Sequence, residues 1–275
     1  MRRAAPAAAL EPRPQGSLGR SNVSATAFSF EPLFLALAVA AAVLYWRAAR
    51  TDRPPAWRLA AFSSGLFLTA ASLNSPLETI ASKYLLLIHL LQNGLIADLA
   101  PLLVLLGLTP PMREGIGRRG LDRLRTRWIL PIWLGAWYLT HIAAFYNWAL
   151  RTGWGLNIEH AILIAAGLLF WWPIVSGRLT PPAGLAYLIV AFLGSSFLGL
   201  AYIFSSRPFY SFYEHAPRLW GLSPIRDQNL GGILMNGEQT LVFLCAIGWF
   251  VLRLLDEEHA REDAAPAPRE PLSDT

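Results

Sequence analysis

The sequence predicts an all-α membrane protein, a bundle of seven transmembrane helices with the N-terminus outside and the C-terminus inside (N-out/C-in). The chain is 54% hydrophobic and only 15% charged. Several stretches nearly free of charge approach the ~20 residues that a helix needs to cross the hydrocarbon core. No roughly ten-residue alternation of the β-barrel kind is visible. Because backbone polar groups cannot stay unpaired in lipid, these stretches are expected to be helices.

Seven segments satisfy this description and together form one domain over residues 28–256. In chain order they are 30–49, 57–75, 84–106, 128–146, 158–175, 183–204 and 230–255. Aromatic residues stand near the segment ends, Tyr146 among them, and this position is typical of an interfacial belt.

Both ends of the chain differ from this domain. Residues 1–27 are rich in Ala, Pro, Arg and Ser, and residues 257–275 are charged and then rich in Pro and Ala. Both are predicted to be disordered tails, the second one cytoplasmic. The short apolar run after Arg3 is interrupted by Pro6, Glu11 and Pro12, so we expect no cleaved signal peptide.

The predicted orientation in the membrane follows from the distribution of arginine among the loops. One group flanks the first predicted loop and a second fills the third loop: Arg47, Arg50, Arg53 and Arg58, then Arg113, Arg118, Arg119, Arg123, Arg125 and Arg127. Short loops rich in arginine are typically cytoplasmic. The net charge of +5 therefore reflects membrane topology, and no nucleic-acid partner is expected.

Cysteine and glycine patterns exclude several classes of protein. Cys245 is the only cysteine, so there is no disulfide framework and no paired thiol for Cu(I) capture. We expect it to be a small buried hydrophobic residue. Neither a nucleotide-binding glycine motif nor a Ser/His/Asp arrangement is present, and we therefore expect no enzymatic activity.

Four of the five histidines fall at one membrane face. His89, His141 and His160 lie just inside predicted helices at the outer side, and His215 lies in an outer loop. Ionisable residues within apolar spans are costly and mark functional sites, and imidazole is the commonest metal ligand. With Asp227 beside them, the first three would form a pocket suited to Cu(II) or Zn. Two of them could instead hold a haem iron. His215 is expected to be a surface residue.

Other polar side chains accompany these histidines. Gln92 and Asn93 follow His89 on the same helical face, and Gln92 is expected to orient the ring of His141 or His160.

Asp98 and Glu238 are predicted near mid-membrane, where a lone carboxylate costs at least ~2.5 kcal/mol. They form either a proton or cation relay, or a pair of neutral acids hydrogen-bonded to Ser, Asn or Gln. Eleven residues make almost whole helical turns, so Glu238 is expected to share the face of Asp227.

Short motifs in a fixed order carry a family resemblance across residues 30–255. They are Ser75-Pro76-Leu77-Glu78, His89-Leu-Leu-Gln92, Ala100-Pro101 leading to Gly107, His141 before Phe145-Tyr146-Asn147, Glu159-His160 leading to Phe170-Trp171-Trp172-Pro173, and Asp227-Gln228 leading to Gly231-Gly232 and Met235. The sequence resembles the CtaG family of cytochrome c oxidase assembly factors, of the caa3 type.

The resemblance implies a multi-pass protein of the bacterial plasma (inner) membrane that handles or delivers copper for the oxidase at the periplasmic face. The implied copper ligands are His89, His141, His160 and Asp227. The residues expected to support them are Gln92, Asn93, Gln228, Met235 and Glu238. The implied partners are cytochrome c oxidase subunits, periplasmic copper chaperones and membrane lipid.

Four positions depart from the family pattern. The helix motif usually reads His-x-x-Gln-His, whereas Asn93 stands at the second histidine here. Asn236 and Glu238 stand where Trp and then Pro or Gly are usual, and Asp98 replaces an apolar residue. Asparagine is a poor copper ligand. A copper- or proton-coupled transporter that uses Asp98 and Glu238, and a di-histidine membrane cytochrome, are therefore the alternatives.

Overall fold

A computed structural model describes residues 24–263, of which 82% are helical and none lies in a strand. The helices are α1 (Pro32–Thr51), α2 (Ala56–Leu73), α3 (Pro76–Lys83), α4 (Leu86–Gly94), α5 (Ala100–Gly107), α6 (Pro110–Arg118), α7 (Thr126–His141), α8 (Ala143–Arg151), α9 (Gly153–Val175), α10 (Pro181–Phe204), α11 (Ser211–Glu214) and α12 (Pro224–Asp263). A π-helical turn, Leu95–Leu99, joins α4 to α5, and a 3₁₀ turn, Leu121–Arg123, precedes α7. The predicted all-α class is confirmed.

Proline begins many of these helices. It is the first residue of α1, α3, α6, α10 and α12, at Pro32, Pro76, Pro110, Pro181 and Pro224. Its ring fixes φ near the helical value, and the N–H that it lacks would have no partner in the first turn. The chain therefore encodes these helix starts locally.

Within residues 24–263, five helical segments are long and apolar enough to cross a membrane, and the bent pair α7–α8 would make a sixth. The five are Pro32–Thr51, Leu86–Gly107, Gly153–Val175, Pro181–Phe204 and Pro224–Arg261. Helix α2 is not among them, since Arg58 and several serines lower its apolarity. By length and composition the structure thus supports a multi-pass protein with five or six candidate spans, fewer than the seven of the sequence prediction.

The predicted span 128–146 is wrong as a single straight helix. Helix α7 ends at His141, and α8 leaves it at an angle of 64°. Ile142 has an extended backbone conformation (φ −63°, ψ 130°), which interrupts the helical hydrogen bonds. The break places His141 at the last position of its helix.

The boundaries of the predicted tails also differ from the structure. Helix α12 continues to Asp263, seven residues beyond the predicted end of the domain at 256. At the other end, the carbonyl of Ala27 accepts a hydrogen bond from the Thr79 hydroxyl at 2.8 Å. Residues 1–23 and 264–275 of the predicted tails lie outside the described residues.

Side-chain contacts define two ends of the bundle. At the arginine end, Arg58 donates to the carbonyls of Leu106 and Leu108, and Arg113 donates to that of Val175. We use "arginine end" for the loops 52–55, 108–125 and 176–180. The histidine end is the opposite one, where α4, α9 and α12 bring together His89, Glu159 and Asp227. Helix α12 packs against both α10 and α4, and α9 packs against α7, α5 and the π-helical turn.

One close approach depends on glycine. A Cβ atom placed on Gly167 of α9 would overlap the backbone carbonyl of Ala97 in the π-helical turn. Only a residue without a side chain lets two backbones approach this closely. Gly167 thereby fixes α9 against the turn that carries Asp98.

Cys245 corrects another expectation. Its side chain is exposed on α12 and is not part of the apolar core. It lies among the residues that line a groove between α2, α5, α9 and α12. The apolar character of cysteine suits this position as well as a buried one, so the sequence does not distinguish them.

Candidate functional site

A cluster of polar side chains is buried near the histidine end. All of them are at most 5% exposed: Glu78, His89, Gln92, Asn93, His141, Glu159, His160, Asp227 and Gln228. Ionisable side chains are rarely buried so completely unless they are paired. Within a membrane protein such a group is a functional site by default. The hydrogen bonds of each member decide which of them are available to a ligand.

His89 lies at the centre and has a defined tautomer. Its Nδ1 is 2.8 Å from the hydroxyl of Tyr213. That hydroxyl also donates to the carbonyl of Ala81, and a phenol has only one hydrogen to give. Nδ1 of His89 must therefore carry the hydrogen and donate to Tyr213. Its Nε2 is left with an available lone pair.

Glu159 faces this lone pair from α9. Its Oε1 is 3.5 Å from Nε2 of His89 and accepts a hydrogen bond of 3.0 Å from Nδ2 of Asn93. Its Oε2 has no hydrogen-bond partner among the described residues. Two acceptor atoms, one imidazole nitrogen and one carboxylate oxygen, thus point at each other.

His160 is next to Glu159 in sequence and packs edge-on against His89, with ring centroids 6.1 Å apart. The ring of Phe34 also packs edge-on against His160, with centroids 6.0 Å apart. Neither ring nitrogen has a hydrogen-bond partner in the described part of the chain, although the side chain is only 1% exposed. An unsatisfied buried polar group costs about 1–3 kcal/mol. These two imidazoles, of the three expected to converge, are in direct ring contact.

His141 lies on the other side of Tyr146. The Tyr146 ring centroid is 4.9 Å from that of His89 and 5.9 Å from that of His141. Nδ1 of His141 is 2.7 Å from the carbonyl of Trp137, so this nitrogen is the donor. Its Nε2 has no partner among residues 24–263. The structure therefore brings the three predicted imidazoles to one region, with an aromatic ring between two of them.

Tyr146 and Glu159 are the residues that the sequence analysis missed. The sequence predicts Tyr146 in the interfacial belt, but it is fully buried and stacks on Tyr210 at 4.1 Å. The sequence pattern assigns no role to Glu159. Its presence inside an otherwise apolar segment is the signal that would have identified it.

Asp227 caps helix α4. Its Oδ2 accepts from the N–H of Leu86 at 3.0 Å, and its Oδ1 accepts from the N–H of Leu87 at 2.9 Å. The first N–H groups of a helix have no partner within the helix, and an anion there is favourable. Leu85, at the N-cap position, provides no side-chain hydrogen bond. Asp227 supplies it from α12, so both carboxylate oxygens are engaged in holding α4.

Gln92 and Gln228 also bind backbone. Nε2 of Gln92 donates to the carbonyl of Ser72 at 2.8 Å and to the carboxyl of Glu78. The expectation that Gln92 orients His141 or His160 is therefore wrong. Gln228 accepts from the N–H of Phe209 at 2.7 Å and donates to the carbonyl of Arg207 at 3.2 Å, which fixes the loop after α10.

Met235 is fully buried in the apolar cluster at this end of the bundle. There it belongs to the same buried cluster as Tyr202 and Tyr210. A thioether fills irregular gaps in a core, so this side chain supports the site through the shape of its surroundings.

Asp98 and Glu238 lie deeper in the bundle. Oδ2 of Asp98 accepts from Gln239 at 3.3 Å, and Gln239 accepts from the Ser195 hydroxyl at 2.8 Å. Asp98 thus has a Gln partner, as one of the two interpretations of the sequence predicts, and that Gln is in turn bonded to Ser195. Glu238 packs against Gly94 of α4, and its oxygens have no partner in the described residues. Asp227 also contacts α4, so Asp227 and Glu238 both face that helix from α12.

Glu78 makes the stability of the folded protein depend on pH. It lies in α3, outside the candidate spans, and burial raises the pKa of its carboxyl from 4.5 to about 8, although the hydrogen bond from Gln92 opposes this. Between these two pH values the folded state holds a proton that the unfolded state has released. The free energy of unfolding therefore falls as pH rises through this window, by up to about 1.4 kcal/mol per pH unit.

We expect the melting temperature of the detergent-solubilised protein to fall between pH 5 and 8 and to level off above about pH 8. Glu78→Gln keeps the side chain neutral, so the melting temperature of that variant should fall less over the same range. Glu114→Gln, at an exposed position, is the matched control and should follow the wild type. Equal slopes for all three proteins would contradict the role of Glu78.

Imidazole nitrogens and a carboxylate oxygen are ligand types that copper and zinc both accept. Ligand atoms about 2.1 Å from a tetrahedral ion lie roughly 3.4 Å from one another, and Nε2 of His89 is 3.5 Å from Oε1 of Glu159. As the side chains stand, no group of three or more His, Cys, Asp or Glu within residues 24–263 is arranged to hold a metal ion. The arrangement therefore offers a pair of ligand atoms with His160 alongside, and not a closed site.

Comparison with known proteins identifies a family for this chain. The family model described as cytochrome c oxidase caa3 assembly factor (Caa3_CtaG) matches residues 38–257, which include every member of the cluster. No curated protein and no solved structure gave a match. Because the matched region covers well over half of the chain, the protein belongs to the cytochrome c oxidase caa3 assembly factor family.

Proposed function

We propose that this assembly factor binds copper as its cargo between His89, Glu159 and His160 and passes it to cytochrome c oxidase at the periplasmic face of the bacterial inner membrane. The observation that carries the proposal is the approach of two acceptor atoms, Nε2 of His89 and Oε1 of Glu159, to 3.5 Å. At this distance the two atoms are not hydrogen-bonded to each other, and an ion placed between them would be bound by both.

Each side chain has a separate task in this proposal. Tyr213 holds the Nδ1–H of His89, so that Nε2 faces the ion, and such an outer contact fixes the tautomer of a ligating histidine. Asn93 positions the Glu159 carboxylate, whose negative charge offsets that of the ion. His160 supplies the second imidazole. His141 presents its Nε2 from the other side of Tyr146, where an ion could be received or released.

The topology that we propose is N-out/C-in with α2 as a seventh span. Helix α2 reaches both ends of the bundle, since Arg58 contacts Leu106 near its start and the carbonyl of Ser72 contacts Gln92 near its end. The arginine end would face the cytoplasm under the positive-inside rule. The histidine end would then face the periplasm, accessible to oxidase subunits and to periplasmic copper chaperones as partners.

Two observations favour this proposal over the alternatives. A transporter relay through Asp98 is disfavoured because that carboxylate is engaged by Gln239. A di-histidine cytochrome needs a flat slot for the macrocycle between its two ligands. The rings of Tyr146 and Phe34 instead pack against His89 and His160. Binding and transfer of an ion require no chemical step, so we propose a non-enzymatic role.

The proposal is tested by copper titration of the purified full-length protein, with elemental analysis of the product. We expect His89→Ala and His160→Ala each to lower the affinity for copper by at least roughly tenfold, because each removes a ligand. Asn93→His should raise it, since a third imidazole would stand beside the oxygen that Asn93 now contacts. His215→Ala, at an exposed position, is the control.

In cells, the two histidine variants should also lower the copper content of membranes and the oxidase activity. If both variants bind copper like the wild type and leave the oxidase fully loaded, the proposal fails. If His215→Ala lowers the copper affinity as much as the other two variants do, the effect reflects weak binding at the protein surface.

A further inference from the structure

Two adjoining cavities lie at the arginine end, opposite the histidine cluster. The first has a volume of about 410 Å³ and is lined by Arg113, Arg178 and Arg253 together with Trp172 and Trp249. The second, of about 430 Å³, is a groove between α2, α5, α9 and α12. The two share part of their lining, including Arg113 and Trp249. One ligand can therefore occupy both.

The first cavity has the character of an anion site. Arg113 donates to the carbonyl of Val175, but its Nε is buried and has no partner among the described residues. Arg253 lies at the rim, 3.6 Å from Glu257. Glu114 and Asp122 also line the cavity, and Asp122 is engaged by the indole N–H of Trp172 at 3.2 Å. Arg58 lines the second cavity, and across the two cavities the arginines outnumber the acids.

The second cavity is an apolar groove on the helix surface. Its walls are mostly hydrocarbon, from Leu102, Leu106, Val242 and Ala246, and the exposed Cys245 lies among them. Two tryptophans flank it, and each carries an arginine over its ring: Arg58 is 4.4 Å from the Trp57 centroid, and Arg253 is 5.2 Å from that of Trp249. Tryptophan with arginine is typical of the level of lipid headgroups.

We infer that these joined cavities form a binding site for one anionic phospholipid. The phosphate would contact Arg113 and Arg253, and an acyl chain would lie in the groove past Cys245. Basic pockets between transmembrane helices bind anionic headgroups in this way. A free phosphate would leave the groove unfilled, and a zwitterionic lipid would gain less from the arginines. The site is independent of the copper proposal, since it uses none of the residues at the histidine end.

The test uses the purified full-length protein in a neutral detergent and measures lipid binding by native mass spectrometry and by the shift in melting temperature. We expect long-chain phosphatidylglycerol to bind and to raise the melting temperature. Phosphatidylcholine with the same chains should bind at least about fivefold more weakly. Inorganic phosphate should give no stabilisation.

Two pairs of variants separate the headgroup from the chain. Arg253→Gln should lower the affinity for phosphatidylglycerol about fivefold, while Arg118→Gln, outside the cavity, should not. Cys245→Trp fills the groove without a change of charge and should also lower the affinity for phosphatidylglycerol. Leu244→Trp, on the neighbouring exposed position of α12, is its control. Size-exclusion profiles show whether each variant is folded.

The inference is overturned if both lipids bind equally, if phosphate stabilises as well as phosphatidylglycerol, or if each variant behaves like its control. Equal binding would indicate general contact with the bilayer. Stabilisation by phosphate would indicate an anion site without a lipid.

Discussion

Glu159→Gln is expected to weaken copper binding about 10- to 100-fold while the melting temperature stays the same or rises slightly. The variant removes the negative charge but keeps the capacity for hydrogen bonds. A glutamine amide has two N–H donors. One would serve Nε2 of His89, and the other would serve Oδ1 of Asn93 once that amide turns over. Oδ1 of Asn93 has no partner among the described residues at present.

This separation of effects is the reason to choose glutamine. If the Glu159 carboxylate serves only to bind Asn93, the variant keeps that role, and copper binding should not change. If the carboxylate is a ligand, affinity falls in a protein that is still folded. Isothermal titration with copper and thermal melting of the same sample measure both quantities. Glu214→Gln, an exposed acid in α11, controls for the loss of one charge near the histidine end. Unchanged affinity in Glu159→Gln would remove Glu159 from the site.

Gly167→Ala is expected to cause the largest loss of stability. The new methyl group would overlap the carbonyl of Ala97, which is backbone and cannot rotate away. Overpacking of this kind typically costs about 1–3 kcal/mol or more. Helix α9 would have to move away from the π-helical turn, and it carries Glu159 and His160. We therefore expect a lower melting temperature and a loss of copper affinity together.

Gly135→Ala in α7 is the matched control. A Cβ atom at Gly135 would meet no neighbour within 4 Å, and alanine in a helix is favoured over glycine by about 0.5–1 kcal/mol. This variant should melt at the same temperature as the wild type or slightly higher. The melting temperatures of the wild type, Gly167→Ala and Gly135→Ala are measured in the same detergent. If Gly167→Ala melts like Gly135→Ala, the close contact between α9 and the turn does not exist in solution.

A π-helical turn beside this contact is consistent with a functional position, because such turns are frequent at functional sites. It shifts the helical register between Asn93 and Asp98, so that the two side chains serve different neighbours. Asn93 contacts Glu159 of α9, and Asp98 contacts Gln239 of α12. The regular helix that the sequence predicted through this region does not include this change of register.

The sequence by itself determined the helical class, most of the membrane segments, the region where His89 and His160 meet, and the family. These features depend on polarity, on helical period and on local signals such as proline at a helix start, and a linear pattern reports all of them. It also indicated that Asp227 and Glu238 share one face of α12, because that follows from 3.6 residues per turn.

Only the tertiary structure decided what each buried polar group does. Asp227 caps α4 from 141 positions away in the chain, and Tyr213 fixes the tautomer of His89 from 124 positions away. The break after His141, the exposed position of Cys245 and the place of Glu159 beside His89 depend likewise on packing between distant helices. A polar residue in an apolar span must find a partner, but its own sequence neighbourhood does not specify which one, since the choice is made by the geometry of the assembled bundle.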